Sequence, residues 1–262
     1  MSRYFQIWAA QIRYSVMKDL GFKGNFLLWT VVELAWFLLQ IAFVEVLYLN
    51  VNEIAGWSKW EMVLLVATSH LVQQIFQTFF MSNCNELPEH IRTGKLDFFL
   101  ALPAHPQFLV STRLFDLSGS VNALLALGLC GWALSHTTAA FSAGNLLGFA
   151  LLVMLGVAVH YAVSLSLVTL SFWMVRGQSF MMAYYQLFQI ARQPSEAFRG
   201  LARVIFTWVL PMLLVANVPA QTLLGQGSLR LALLFAVVTA VLFWGANRFF
   251  WFGLSRYTSA SS

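Results

Sequence analysis

Charge is what this sequence has least of. Asp, Glu, Lys and Arg make up 10% of its 262 residues, against about 25% in an average globular domain. Hydrophobic side chains are 60% of the total, with Phe 24, Trp 10 and Tyr 7 among them. A soluble domain of this size cannot hide so much apolar side chain, which excludes soluble enzymes and disordered chains. The two cysteines, Cys84 and Cys130, have no metal-ligand spacing and form no disulfide framework. No G-x-x-x-x-G-K-[ST] occurs, so the chain carries no phosphate-cradling loop of that kind. No H-E-x-x-H and no Gly-bounded serine with a histidine partner occurs either, and His70, His136 and His160 are scattered. These absences leave an intramembrane protease without a motif. Internal repeats and low-complexity linkers are lacking too. The apolar runs are continuous and far longer than the roughly ten alternating residues of a barrel strand.

What is present reads as an all-α polytopic membrane protein in one domain, residues 1–262. Residues 1–24 carry Arg3, Arg13, Lys18, Asp19 and Lys23 and lack the apolar core of a signal peptide. Phe5, Trp8, Ala9, Ile12, Val16 and Leu20 gather on one helical face, so this segment is expected to lie amphipathically in the headgroup region. Six transmembrane helices are expected at 25–49, 61–82, 107–134, 144–174, 201–217 and 230–252, each near the roughly 20 residues that cross hydrocarbon. The fifth is short and contains Pro211. Residues 178–191 are apolar but too short to span as a helix, so 175–200 is expected to be a cytoplasmic or interfacial segment. With both termini inside, 13 of the 15 Lys and Arg fall on the cytoplasmic side, Arg176, Arg192, Arg199 and Arg203 among them, and only Lys59 and Arg230 outside. That asymmetry follows the positive-inside rule and accounts for the net charge of +5 without nucleic acid.

The longest polar interruption is 83–106. Pro88 suits a first helical turn, with Glu86 and Glu89 at the positive end of the helix dipole. Arg92 follows Glu89 by three residues, Gly94 is a natural C-terminal stop, and Asp97 is placed to cap a second short helix, FFLAL, ended by Pro103. The result is a helix–Gly–helix elbow on the inner face, either a docking element or simply a well-capped loop. Within the spans, Glu33, Arg113 and Asp116 must face protein or water. Arg113 and Asp116 are i, i+3, and Arg113 could also reach Glu33. Such a pair would serve as a gate or as an interfacial brace. His70, Gln73 and Gln74 form a polar stripe that lines either a cavity or an interhelical hydrogen-bond seam. His160 reads as a satisfied core histidine.

Two stretches resemble a known family. IRTGKLDFFLALP, Ile91 to Pro103, is similar to the coupling segment of ABC-2-type transporter permeases, in the branch with a single six-span domain. VLPMLLVANVPAQTLLG, Val209 to Gly225, resembles a proline-spaced stretch of the same branch, with Pro211, Pro219 and Gly225 in matching places. The resemblance implies the transmembrane subunit of an ATP-driven exporter in the bacterial inner membrane. Two such permeases, identical or related, would pair among membrane lipid. Separate ATP-binding subunits would hold ATP and Mg, and this chain would bind no cofactor or metal. Glu86, Glu89, Arg92, Thr93, Gly94, Lys95 and Asp97 would then couple to the ATPase. The family also sets re-entrant helices between its fifth and sixth spans; here that region is expected at Ala216 to Ser228, with room for one or two turns. The alternatives are a membrane anchor that recruits a cytosolic protein through 83–106, and a secondary transporter, although the latter's inverted repeats are not visible.

Overall fold

The computed structural model describes residues 2–140, 142–174 and 177–258. Among these residues, twelve α-helices form a bundle with two distinct ends. At one end sit α1 (Ser2–Gly21) and the start of α2 (Lys23–Leu47). At the other, β1 (Glu53–Ile54) pairs antiparallel with β2 (Trp57–Ser58). Ala55 (φ +54°) and Gly56 (φ +82°) supply the left-handed turn that such a tight hairpin needs. The Glu61 carboxylate accepts a 2.8 Å hydrogen bond from the Ser58 backbone and closes a capping box. It starts α3 (Lys59–Phe76), which passes through a π-turn at Gln77–Met81 into α4 (Ser82–Arg92).

Together α3, the π-turn and α4 make one helix of 34 residues, about 50 Å long at 1.5 Å per residue. That exceeds the roughly 30 Å of a hydrocarbon core, so α4 extends beyond it. Pro88 therefore lies inside a helix and not in its first turn, and Glu86 and Glu89 belong to the helix's last turns. After Gly94 (φ +73°) come α5 (Leu96–Leu100) and α6 (Pro106–Thr112), both short. Lys95, not Asp97, is the N-cap of α5, with Asp97 in its first turn. The expected third span from 107 is thus divided: α6 stands alone, and the crossing helix is α7 (Leu117–Ser135). The next, α8 (Ala143–Thr169), returns to the first end.

Among the described residues, five helices are long and apolar enough to cross a membrane by themselves: α2, α3 with α4, α7, α8 and α12 (Leu229–Leu254). Between α8 and α12 the arrangement differs from the expectation. α9 (Gly177–Phe188) packs on α4 and α8, near the first end. A 3-10 turn (Gln189–Arg192) continues it and packs on α3 and α11 (Met212–Leu223). Glu196 then accepts a 3.0 Å hydrogen bond from the Trp57 indole, beside the β-hairpin. The chain has therefore travelled from one end to the other over 177–196. Twelve α-helical and four 3-10 residues cover about 26 Å, and the extended Gln193–Pro194 stretch supplies the rest.

The segment expected as the fifth span, 201–217, is a re-entrant hairpin instead. Its arms are Gly200–Val209, which holds α10 (Gly200–Val204) and a π-turn, and α11, set at 82° across Pro211. Glu196, before the first arm, is bonded at the hairpin end. Gln226, after the second, donates to Glu61 at 3.1 Å, at the same end. Val215 meets Gly156 and Val72 so closely that a Cβ on Gly156 would lie 3.1 Å from Val215 Cγ1 and 3.3 Å from Val72 Cγ1. This α3–α8–α11 crossing is the centre of the core. Counting the 177–196 stretch, the described residues pass between the two ends six times, and α1 and the last turns of α12 share one face: Tyr4 Oη meets the His105 backbone at 3.3 Å, and the His105 ring sits 5.1 Å from Trp251.

The N-terminal helix α1 packs through Trp8, Ile12, Ser15 and Asp19, while Phe5 and Leu20 point outward. The expected apolar face is thus divided: Trp8, Ile12 and Val16 pack toward the protein, while Phe5, Ala9 and Leu20 are exposed on the outer side with Arg3, Arg13 and Lys18.

Candidate functional site

At the first end, four helices are locked by polar clamps. Asn83 on α4 bonds both sides of Leu114: its Oδ1 accepts from the backbone N–H at 2.9 Å, and its Nδ2 donates to the carbonyl at 2.8 Å. Ser15 and Asp19 on α1 accept from the Phe115 and Leu117 backbones, each at 3.2 Å. Asp116 caps α7 through the Ser118 and Gly119 N–H groups at 2.9 and 3.1 Å. Its carboxylate is therefore committed to the helix start. Arg113 does not pair with Asp116 or with Glu33; its guanidinium binds Glu86 on α4, with the His90 ring 3.4 Å away. The expected ion pair is thus a brace between the α6–α7 break and α4.

Beyond the brace lies the elbow. Glu89 and Arg92 make a bidentate pair at 2.7 and 2.9 Å on an exposed surface. Thr93 Oγ1 donates to the Glu89 carbonyl at 2.7 Å and closes the helix. Glu86, Glu89, His90, Lys95, Phe98, Phe99 and Arg113 line an open groove of about 540 Å³. Phe98 is 74% exposed. Burial, and then the neighbouring Asp97 carboxylate, hold the Tyr257 phenol above its usual range.

The intramembrane polar residues gather elsewhere. Glu33 accepts from the Gln77 amide in the π-turn and from Asn122 Nδ2 at 3.1 Å. It stands between two cavities. One, of about 440 Å³, lies toward α1 and includes Lys18, Asp19, Trp29, Asn85 and Asp116. The other, of about 590 Å³, is lined by Glu33, His70, Gln73, Gln74, Gln186 and Arg192, among others. Both count Glu33 and Gln77 in their walls. The predicted stripe His70, Gln73, Gln74 therefore faces a cavity. His70 stacks on Phe37 at 3.9 Å, and Gln73 Oε1 accepts from Arg192 Nη2 at 2.8 Å. On its α2 side this chamber opens outward, since Trp36 and Leu39 in its wall are 64% and 61% exposed.

Pro211, Pro219 and Gly225 mark the bend, the buried interior and the end of the second re-entrant arm. None of the three lines the chamber. Sequence reasoning missed Asn83, Gln77, Asn122 and Arg192. Their signal was a polar side chain inside or beside an apolar run, which the hairpin's reassignment makes legible for Arg192. Arg176 lies outside the described residues.

A bundle of apolar helices long enough to cross a membrane, with a re-entrant hairpin and a polar chamber between the helices, defines a polytopic membrane protein. The family described as ABC-2 family transporter protein matches residues 34–261, and the chain belongs to it. No curated protein matches the chain, and no solved structure does.

Proposed function

We propose that the chain is the permease subunit of an ATP-driven exporter in the bacterial inner membrane. Two such subunits, identical or related, form the pathway, and two separate ATP-binding subunits dock at the end that carries both termini. The observation that favours this reading is the 34-residue helix from Lys59 to Arg92. It runs from the β-hairpin past the chamber to the exposed elbow at Glu89–Asp97. A rigid rod of that kind transfers motion at the elbow to Gln77 and Glu33 instead of dissipating it in a loop. The Glu86–Arg113 and Asn83–Leu114 contacts extend the same push to α1 and α7.

The terminus-bearing end is the cytoplasmic one in this proposal. Charge counting still favours it after the correction. Of the 13 basic residues first placed inside, Arg176 lies outside the described residues, Arg192 enters the crossing, and Arg199 and Arg203 move outward, leaving 13 − 4 = 9 against 2 + 2 = 4 outside. In this reading ATP and Mg are held by the partner subunits.

The test is co-purification. The chain, expressed in turn with candidate ATP-binding subunits from the same genome, should elute with one of them as a single complex. In proteoliposomes that complex should hydrolyse ATP and move cargo outward. A chain that elutes alone from every candidate ATPase would favour the anchor or secondary-transporter reading.

A further inference from the structure

The chamber beside α3 holds two opposite charges that do not meet. Glu33 is tied to Gln77 and Arg192 to Gln73. The two glutamines are four residues apart on one helix, so the charges are anchored one turn apart, about 6 Å at the level of the glutamine β-carbons. Both face the same cavity. Among the described residues neither makes a salt bridge, and the guanidinium's partners are the amide oxygens of Gln73 and Gln189. An ion held in an apolar setting without a counter-ion costs several kcal/mol in general, and unlike charges attract strongly there. Their separation inside one polar chamber needs a reason.

A second observation marks the same place. Gln40 Oε1, both ring nitrogens of His70, Gln74 Oε1 and Arg192 Nε are buried polar atoms with no hydrogen-bond partner in the protein. All four residues line this chamber. Buried polar atoms are nearly always satisfied, so such a concentration of donors and acceptors belongs to a site that pairs with something outside the chain. The chamber's outer wall is the opposite in character: Trp36, Leu39 and Phe43 are exposed and apolar.

We propose that this chamber binds the headgroup of a zwitterionic amphiphile. Glu33 receives its cationic group, Arg192 its anionic group, and the tail leaves across α2 through the Trp36–Phe43 opening. The glutamines hold the two charges apart so that neither quenches the other before the cargo arrives. Gln40, Gln74 and His70 supply the neutral hydrogen bonds between them. This assignment rests on the permease reading for its biological meaning, but the binding itself requires no ATPase.

The experiment uses the full chain in nanodiscs and three tail-labelled probes of equal chain length. They are lysophosphatidylethanolamine (both charges), lysophosphatidylglycerol (anion only) and an alkyltrimethylammonium (cation only). The zwitterion should bind about tenfold or more tightly than either singly charged probe, the usual worth of one charged hydrogen-bonded contact. Arg192→Gln should reduce the zwitterion to the cation's affinity, and Glu33→Gln to the anion's. Tail-free glycerophosphoethanolamine should compete at least about tenfold more weakly than the tailed probe, because it leaves the apolar opening unfilled. The glutamine variants are near-isosteric, and their elution and melting profiles report whether they remain folded. Equal binding of all three probes, or folded variants that keep the zwitterion preference, would overturn the assignment. Either result would leave the permease reading intact, since that stands or falls on ATPase association.

Discussion

At the scale of single residues, position matters more than charge. Arg113 and Glu86 are joined, yet their side chains are 36% and 44% exposed, and a pair so well solvated contributes about 1 kcal/mol or less. Asn83 carries no charge, but it is 3% exposed and saturates both backbone groups of Leu114. Asn83→Ala leaves a donor and an acceptor unpaired at the α6–α7 break, at about 1–3 kcal/mol for each group. In detergent-solubilised protein, the melting temperature should fall clearly for Asn83→Ala and only slightly for Arg113→Ala. The reverse order would mean that the brace, not the amide clamp, holds this end together. Gly156→Val should also destabilise, by about 1–3 kcal/mol, since its Cβ already meets the Val215 carbonyl at 3.2 Å and a valine adds two methyls there.

At the scale of elements, the segment between α8 and α12 decides the architecture. Cysteines at Arg199 and at Gln226, both exposed, flank the re-entrant hairpin and should react with an impermeant thiol reagent from the same side. A span over 201–217 would place them on opposite sides. Both native cysteines are buried, so background labelling is low. Five long apolar helices (α2, α3, α7, α8 and α12) and the elbow's Gly94 turn were legible in the sequence because crossing hydrocarbon demands uninterrupted apolar runs and a left-handed turn demands glycine. The fifth crossing was not legible, for a physical reason. One side of residues 180–196 faces protein and chamber, so the segment carries Gln186, Gln189 and Arg192, and it finishes in 3-10 and extended backbone, which a twenty-residue helical criterion overlooks. Conversely, α11 is buried all round from Met212 to Ala220 and apolar there except at Asn217, and composition alone does not separate a helix surrounded by protein from one surrounded by lipid. The Glu33–Gln77–Asn122 node was hidden because it joins three helices far apart in the chain.

At the scale of the whole molecule, the same long helix reaches both the chamber and the elbow, so orientation and coupling are linked questions. A cysteine at Thr93 should be protected from an impermeant reagent in intact cells and one at Ser142 should be labelled, if the elbow faces the cytoplasm. Given that outcome, the elbow variants test transmission. Replacing Glu89 and Arg92 together by Lys and Glu preserves their mutual attraction but reverses the charges shown to a partner, so any loss of ATPase binding comes from the interface and not from the helix. Gly94→Val acts differently: it strains a turn whose φ is +73°, at about 1–2 kcal/mol, and loosens the rod's end without changing its charge. The charge reversal should weaken co-elution of the ATPase, whereas Gly94→Val should leave co-elution largely intact and lower transport per ATP hydrolysed. If both variants bind and transport like the parent protein, motion enters the bundle elsewhere, and the rigid path from Arg92 to Gln77 has no part in driving the chamber.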